Sequence, residues 1–523
     1  MGKRIVIVGA GMGGLTSAAL LGAHGHDVTV VEKEDWVGGK ARHVDVDGHP
    51  VAAGPTVFTM RDVFDDVFAA CGARLDDHIN TRQAEVIARH AWDDAEHFDL
   101  FADPVRSEEA IGDFAGSKAV QGYRRFRNDA RHMFETLDKP MLRGAQARTP
   151  LPMMWRIGFW RIRDIAAIRP FDNLWKVLGE YFEDPRLRQL FGRYSTYCGS
   201  SPFSAPATLM LIAHVEAKGV WLIDGGINSL AVALRQLAEA QGVRFQLGQS
   251  VAQVLTDKGG ACGVRLANGD QIPADAVISN ADPCALAEGK FGVQPAHAVS
   301  AYGAEKRSLS ANVWFAHAKT SGFDLQHHNV FFSGDYRHEF DEIAAGKSPS
   351  NPTVYVCAQD RGAKVGTGSS GETSKRERLQ IIVNAPANGD THSYSSEEID
   401  QCTRQMRDSL AHCGLTLEDP MPHSLATPQN WEELFPATGG ALYGRASHGW
   451  AASFLRQGPR TKIPWLYCTG GGTHPGAGVP MAALSGRLVA QTLLSDLAST
   501  RQSYRAATPG GMSMRSAKTG VTG

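Results

Sequence analysis

The stretch "RIVIVGAGMGGLTSAALLGAHGHDVTVVEK", Arg4 to Lys33, decides the fold. Ile5 to Val8 is a short, wholly apolar run, the pattern of a strand buried on both faces of a parallel sheet. Gly9-Ala10-Gly11-Met12-Gly13-Gly14 fits G-x-G-x-x-G. Leu15 to Ala23 then reads as a helix and Asp27 to Val31 as a second strand, closed by Glu32. Glu32 follows Gly9 by 23 residues, close to the spacing of about 20 expected for a ribose-binding acid. Gly9 permits the tight turn, Gly11 lets the backbone approach a pyrophosphate, and Gly14 lets helix and strand pack closely. Free N–H groups at the helix start attract phosphate. Glu32 can accept hydrogen bonds from a ribose diol and disfavours a 2′-phosphate, which argues against NADP. A bare glycine motif is weak evidence, but strand, turn, helix, strand and terminal acid in order are strong, and they leave NAD and FAD open.

The rest of the composition excludes more than it selects. The chain has 523 residues, 43% hydrophobic and 21% charged, with a formal net charge of −2. No basic field argues for a nucleic-acid partner. The eight cysteines are scattered without a CxxC pair, so neither a zinc site nor a disulfide framework is expected, and reduced thiols in a cytoplasmic protein are the reading preferred. The N-terminus has glycines where a signal peptide needs an unbroken apolar run, and Val6 departs from the myristoylation pattern. No run of about 20 apolar residues is present, so no membrane span is expected.

The continuation chooses between the two dinucleotides. "DWVGGKARHVDVDGHPVAAGPTVF" carries Gly38-Gly39-Lys40 and then Gly54-Pro55-Thr56. Near the other end, "YCTGGGTHPGAGVPMAALSGRLVAQTLL", Tyr467 to Leu494, is a glycine-rich strand, turn and helix, with Pro480 at the helix start, where its missing N–H is not needed. Together these resemble the two cofactor-binding ends of the flavin amine oxidase and phytoene desaturase superfamily, whose cofactor is FAD. The resemblance implies that Gly39 and Lys40 lie along the pyrophosphate and that Gly54, Pro55 and Thr56 approach the flavin. Ala52 stands where the family usually has Asp, so that carboxylate contact is lost. It further implies that Gly472, Thr473, Pro480 and Met481 hold the ring, the positive end of the last helix facing it and favouring its reduced anion. A middle segment, "GVWLIDGGINSLAVALRQLAEAQGVRFQLGQSVAQVL" followed by "ADAVISNADP", matches the family's return to the cofactor domain. By that match Val251 meets the adenine through its backbone, and the strand ending at Asn280 lies beside the cofactor.

The expected fold is α/β: a discontinuous Rossmann-like FAD-binding domain (1–75, 220–285 and 460–498), a mixed α+β substrate region and a helical, membrane-contacting part (76–219 and 286–459). "RGAKVGTGSSGETSKRER" is expected as a surface insert and 499–523 as a disordered tail. "LPMMWRIGFWRIRDIAAIRPFDNLWK", Leu151 to Lys176, interleaves aromatic and aliphatic residues with Arg156, Arg161, Arg163 and Arg169. That pattern suits an interfacial helix on anionic lipid as well as a packed helix with solvated arginines. The family resemblance favours peripheral membrane attachment, with Met153–Arg169 in the patch.

"YFEDPRLRQLFGRYSTYCGSSPFSAPA" and "FPATGGALYGRASHGWAASFLRQGPR" extend the resemblance over most of residues 1–495 and narrow it to the 1-hydroxycarotenoid 3,4-desaturases. The implied reaction is FAD-dependent desaturation of an acyclic 1-hydroxy or 1-methoxy carotenoid, with oxygen, a quinone or another carrier as electron acceptor. Phytoene or neurosporene desaturases, carotenoid isomerases, amine oxidases and a non-redox prenyl-lipid escort protein share the architecture. No catalytic acid or base is assigned. His448 and Arg445 are candidates for the substrate's oxygenated end, His474 for a flavin neighbour or a backbone partner, and His214 and Glu216 for a helix surface.

Overall fold

The computed structural model describes residues 2–93, 96–147, 149–362, 376–449 and 452–506. The opening apolar run is strand β1 (Arg4–Val8), followed by helix α1 (Met12–Ala23) and strand β2 (Asp27–Val31). The helix begins at Met12 rather than Leu15, because Gly11 is its extended N-cap, with φ −74° and ψ 174°. Three later strands join the same sheet: β3 (Arg244–Gln246), β4 (Ala276–Ser279) and β5 (Leu466–Cys468). The order is β5-β4-β1-β2-β3, every pair parallel, with Ile7 opposite both Val30 and Ile278. A strand covered on both faces needs no polar alternation, and Ile5 to Ile7 are 0–2% exposed.

Helix α2 (Ile227–Ala240) and the last helix, α3 (Val479–Ala506), pack against α1. Helix α3 continues to Ala506, past Ser499, where composition places the start of a tail. Residues beyond 506, and 363–375 within the expected surface insert, lie outside the described residues. The α1–α3 contact is very close. A Cβ on Gly486 would overlap the carbonyl oxygen of Gly13 and stand 2.8 Å from Thr16 Cβ.

The second half is built on a seven-stranded sheet, in the order His423–Ala426, Ser310–Ala318, Glu377–Ala385, Val354–Ala358, His328–Phe331, Val86–Ala91, His97–Phe101. Its pairs are antiparallel except His328–Phe331 with Val86–Ala91, and helices pack against it, so this half is α+β as expected from the sequence. A long helix, Pro104–Leu137, buries Ile111, Phe126, Met133 and Leu137 beside it, starting at an Asp103 cap and breaking helical geometry at Gly116. The arginine- and aromatic-rich segment is two helices, Pro150–Ile157 and Ile162–Ala167, parted at Gly158, where φ is +102°. Among the described residues no helix is long and apolar enough to cross a membrane.

Gly486→Val is expected to destabilise the protein by about 1–3 kcal/mol by overpacking the α1–α3 contact. A lower thermal midpoint than wild type checks this, and an unchanged midpoint would mean the two helices can slide apart without cost.

Candidate functional site

One cavity of about 1100 Å³ runs from the C-terminal ends of β1 and β2 through the seam between the two halves. It exceeds the roughly 300–1,000 Å³ of a pocket for one small ligand, and its two ends differ in chemistry.

The first end is glycine backbone. Gly9, at φ +98°, turns the chain out of β1 and donates its N–H to Val31 O at 2.8 Å. Gly11 bridges to Gly38, and the Gly38 N–H donates to Ala10 O at 2.8 Å. A Cβ on Gly13 would stand 2.8 Å from Asn280 Oδ1, Gly470 N and Thr469 Oγ1. The floor of the cavity is therefore bare main chain, a cradle that side chains would fill. Glu32 closes it. Its Oε2 accepts from the Ala10 N–H at 2.7 Å and its Oε1 from the Glu34 N–H at 3.1 Å. Each oxygen keeps a lone-pair direction free for a diol. Burial pushes the Glu32 carboxyl up, and the two backbone bonds oppose that. Val251 lines the cavity near Glu32. Asn280 does so too, and its Oδ1 accepts from the Gly14 N–H at 3.0 Å, so part of the α1 N-terminus is satisfied by a side chain.

Lys40 lines the cavity next along, its Nζ donating to Leu442 O at 2.6 Å. Burial pulls its pKa down to about 8, partly opposed by Asp282. Gly54, at φ +95°, cannot carry a side chain, since a Cβ would overlap the Lys40 carbonyl. The second sheet holds this segment by its backbone. Gln359 bonds both N and O of Ala52 at 2.9 and 2.8 Å, and Gln380 Nε2 donates to Gly54 O at 2.8 Å. Tyr355 OH donates to Thr56 Oγ1 at 2.7 Å and is itself bonded to His328 Nδ1 at 2.7 Å. The cross-sheet amides thus fix the backbone at position 52, where the side chain is a methyl. His327, His328 and Cys357 cluster behind Tyr355, and burial pushes the Cys357 thiol up to about 12.

Gly470 to Gly472, Pro480 and Met481 line the same cavity as Pro55 and Thr56. Thr473 turns inward: its Oγ1 donates to Gly470 O at 2.7 Å and meets Ser485 Oγ at 2.6 Å, shaping the turn from behind. Ala10, Gly14 and Thr473 therefore stand behind the lining, while Gly9, Gly11, Gly13, Glu32, Gly39, Lys40, Gly54, Pro55, Thr56, Val251, Gly472, Pro480 and Met481 form it. His474 Nε2 meets Gly144 O at 3.1 Å, so of the two roles expected for it the backbone one is present.

The second end is apolar, lined by Met153, Met154, Ile168, Leu209, Ile212, Val215 and Phe171 among others. Three polar residues that the motifs do not reveal share this wall: Arg193, Tyr197 and Glu216. Glu216, read from the sequence as a helix-surface residue, is 2% exposed, because the helix Leu211–Ala217 turns that face towards Tyr194 and Tyr197. Neither Arg445 nor His448 lines the cavity: Arg445 packs on the Tyr302 ring and His448 is on the surface. His214 packs on the Phe134 ring.

A dinucleotide cradle facing an apolar chamber defines a flavoprotein oxidoreductase acting on a hydrophobic substrate. The model of the flavin-containing amine oxidoreductases matches residues 12–494. The chain belongs to that family and, within it, to the carotenoid desaturases. It is 50% identical to the hydroxyneurosporene desaturase of Rubrivivax gelatinosus, over 99% of this chain and 98% of that one. It is 44% identical to the hydroxyneurosporene desaturase of Cereibacter sphaeroides, over 95% and 98%. An oxidoreductase from Methanosarcina mazei shares the fold, with a TM-score of 0.57 at 15% identity over 94% of this chain and 100% of that one. The cofactor of the family is a flavin.

The low Lys40 pKa carries a sign. The unfolded side chain titrates near about 10.4 and the folded one at about 8. Between those values the unfolded state binds more protons, so apoprotein stability rises with pH across this window and the penalty is full below it. Thermal midpoints of flavin-free wild type from pH 7.5 to 10, compared with Lys40→Met, are expected to show the rise only in wild type. Parallel curves would place the titration elsewhere.

Proposed function

We propose that this protein binds FAD and desaturates an acyclic 1-hydroxy carotenoid at C3–C4. The observation that carries the reading is the single cavity joining a dinucleotide cradle to an apolar chamber. The hydroxyneurosporene desaturases, similar over almost the whole chain, support it. Gly9, Ala10, Gly11, Gly13, Gly14 and Glu32 would hold the ADP half, with Val251 at the adenine and Gly39 and Lys40 along the pyrophosphate. Gly54, Pro55, Thr56, Gly472, Thr473, Pro480 and Met481 would frame the ring. When bound, FAD supplies the two-electron acceptor for a hydride leaving one substrate carbon, and a proton leaves the neighbouring carbon.

The chain's own part is alignment and exclusion of water. The tight turn at Gly54 and the Tyr355 bond to Thr56 fix one wall, and the Thr473–Ser485 bond fixes the turn opposite. A C–H held within about 3–3.5 Å of its acceptor gains most of what proximity can give. Met153, Ile168, Leu209 and Ile212 keep the chamber dry, so the polyene itself carries the developing positive charge. Lys40 sits where the cradle meets the chamber and matches the charge of a diphosphate.

The mouth supports delivery from a membrane surface. Trp155, Phe159, Trp160 and Phe171 are 47–84% exposed, while Met154, Ile165, Pro170 and Phe171 of the same segment line the cavity. An exposed aromatic cluster around an apolar entrance suits the lipid interface. Attachment through it is mainly apolar. Arg156 bonds Ala145 O, Arg161 bonds Asp164 at 2.5 Å, and Arg169 bonds Asp172 and Glu180 at 2.6 Å, so three of the four arginines are already engaged.

Two measurements test this reading. Anaerobic incubation of the FAD-loaded protein with 1-hydroxyneurosporene in liposomes is expected to give one longer-wavelength product per flavin bleached. Bleaching with phytoene and none with the hydroxylated substrate would overturn the substrate assignment. The triple change Trp155→Ser, Phe159→Ser and Trp160→Ser is expected to lower liposome binding at least tenfold, with little change on added salt. Unchanged sedimentation of the folded variant with vesicles would remove the membrane role.

A further inference from the structure

The polar patch in the apolar chamber needs a reason, because a hydrocarbon chain would be served as well by leucine. Arg193 and Glu216 are 4% and 2% exposed. A buried pair of opposite charge commonly contributes no more stability than apolar residues of the same volume. Here the pair is wired through Tyr197. Arg193 Nη1 donates to Tyr197 OH, and Tyr197 OH donates to Glu216 Oε1 at 2.8 Å. Tyr194 OH takes the other carboxylate oxygen at 2.6 Å, and Arg193 Nε donates to His90 Nε2 at 3.1 Å. Burial works against the guanidinium charge, but Tyr197, Glu216 and Tyr194 outweigh it.

Exposure singles out one atom. Each Glu216 oxygen accepts from one tyrosine, and Arg193 donates to His90 and Tyr197 while its buried Nη2 has no partner. A phenol oxygen has one proton to give and two lone pairs. The Tyr197 oxygen gives its proton to Glu216 and uses one lone pair for Arg193, which leaves one lone pair. Tyr197 is also partly exposed and lines the cavity, whereas Arg193, Tyr194 and Glu216 are buried. Tyr197 shares the cavity with Tyr355, whose hydroxyl is bonded to Thr56 of the proposed flavin wall. In a 1-hydroxy carotenoid the oxygen is two carbons from the reacting C3, so the group that reads it must lie close to that wall.

We propose that the Tyr197 phenol, held by Arg193 and Glu216, accepts a hydrogen bond from the free hydroxyl of the substrate and selects the alcohol over its methyl ether and its deoxy analogue. This rests on the desaturase reading and deepens it. An ether oxygen has no proton to give the phenol, so it gains nothing from this acceptor. One buried hydrogen bond at this place is worth about tenfold in kcat/KM.

The test uses the FAD-loaded full chain in liposomes with three substrates: the acyclic 1-hydroxy carotenoid, its 1-methoxy ether and the compound lacking oxygen. Wild type is expected to prefer the alcohol about tenfold over both others. Tyr197→Phe is expected to bring the three within about twofold, the alcohol losing most and FAD content staying at one per chain. Arg193 Nη2 stands 3.9 Å from Glu216 Oε2, so the pair can close directly once the phenol is gone and the variant can fold. Wild type treating all three alike overturns the proposal without any variant, as does a folded Tyr197→Phe that keeps the preference. Wild type that favours the ether over the alcohol also overturns it, because an ether has no proton to give the phenol. If none of the three bleaches the flavin, the desaturase reading itself falls and this proposal with it.

Discussion

Three distant parts of the chain meet at the α-carbon of Gly13. Asn280 follows strand β4 there, Thr469 and Gly470 follow strand β5, and helix α3 crosses there at Gly486. None of these approaches leaves room for a methyl group. The glycine main chain meets the Asn280 and Thr469 side chains and the main chain of Gly470, so its cost in glycine entropy is offset only by what it brings together. It joins the start of the chain to residues 280 and 470, and thereby sets the two glycine turns face to face across one cavity. Every later feature of the site takes its position from that meeting.

The second half of the molecule does more than roof the cavity. Its sheet reaches into the first half through Gln359, Gln380 and Tyr355, and each of the three grips main chain or hydroxyl between Ala52 and Thr56. The wall on the cofactor side is therefore fixed by side chains some 300 residues away in sequence, as the 299-residue separation of Tyr355 and Thr56 shows. Alignment of a C–H bond against that wall is a tertiary property. A shift of the sheet would change rate before it changed stability.

The β1–α1–β2 unit was legible because its pattern is local: apolar run, glycines and acid follow one another within thirty residues. The C-terminal turn was legible by resemblance, and the mixed second half by class only. Glu216 misled because helix position was readable while the tyrosines that bury it were not. Arg193 and Tyr197 lie in a stretch legible only through its overall resemblance, and their meeting with Glu216 depends on the helix Leu211–Ala217 packing against the turn Arg193–Cys198. The arginines of 156–169 were visible, but their partners Asp172, Glu180 and the Ala145 carbonyl were not, so the charge on that surface looked freer than it is. Helix α1 begins three residues early for a similar reason: Gly11 caps it in extended geometry, which the glycine count alone does not say.

Two solvation demands oppose each other in a single cavity, and the order of residues along it reconciles them. A diphosphate needs donors and cations, which the bare glycine amides and Lys40 provide at one end. A polyene needs the reverse, and the methionines, leucines and isoleucines provide it at the other. A buried charge is costly unless something pairs with it, and burial lowers the Lys40 pKa to about 8, with Asp282 opposing the fall. On the proposed reading the cofactor removes the penalty and the substrate removes the water, so each ligand improves the site for the other. The buried Arg193–Tyr197–Glu216 chain obeys the same logic at smaller scale: its charges are linked through Tyr197 inside the apolar end, and the part-exposed phenol keeps a lone pair to be matched by a ligand.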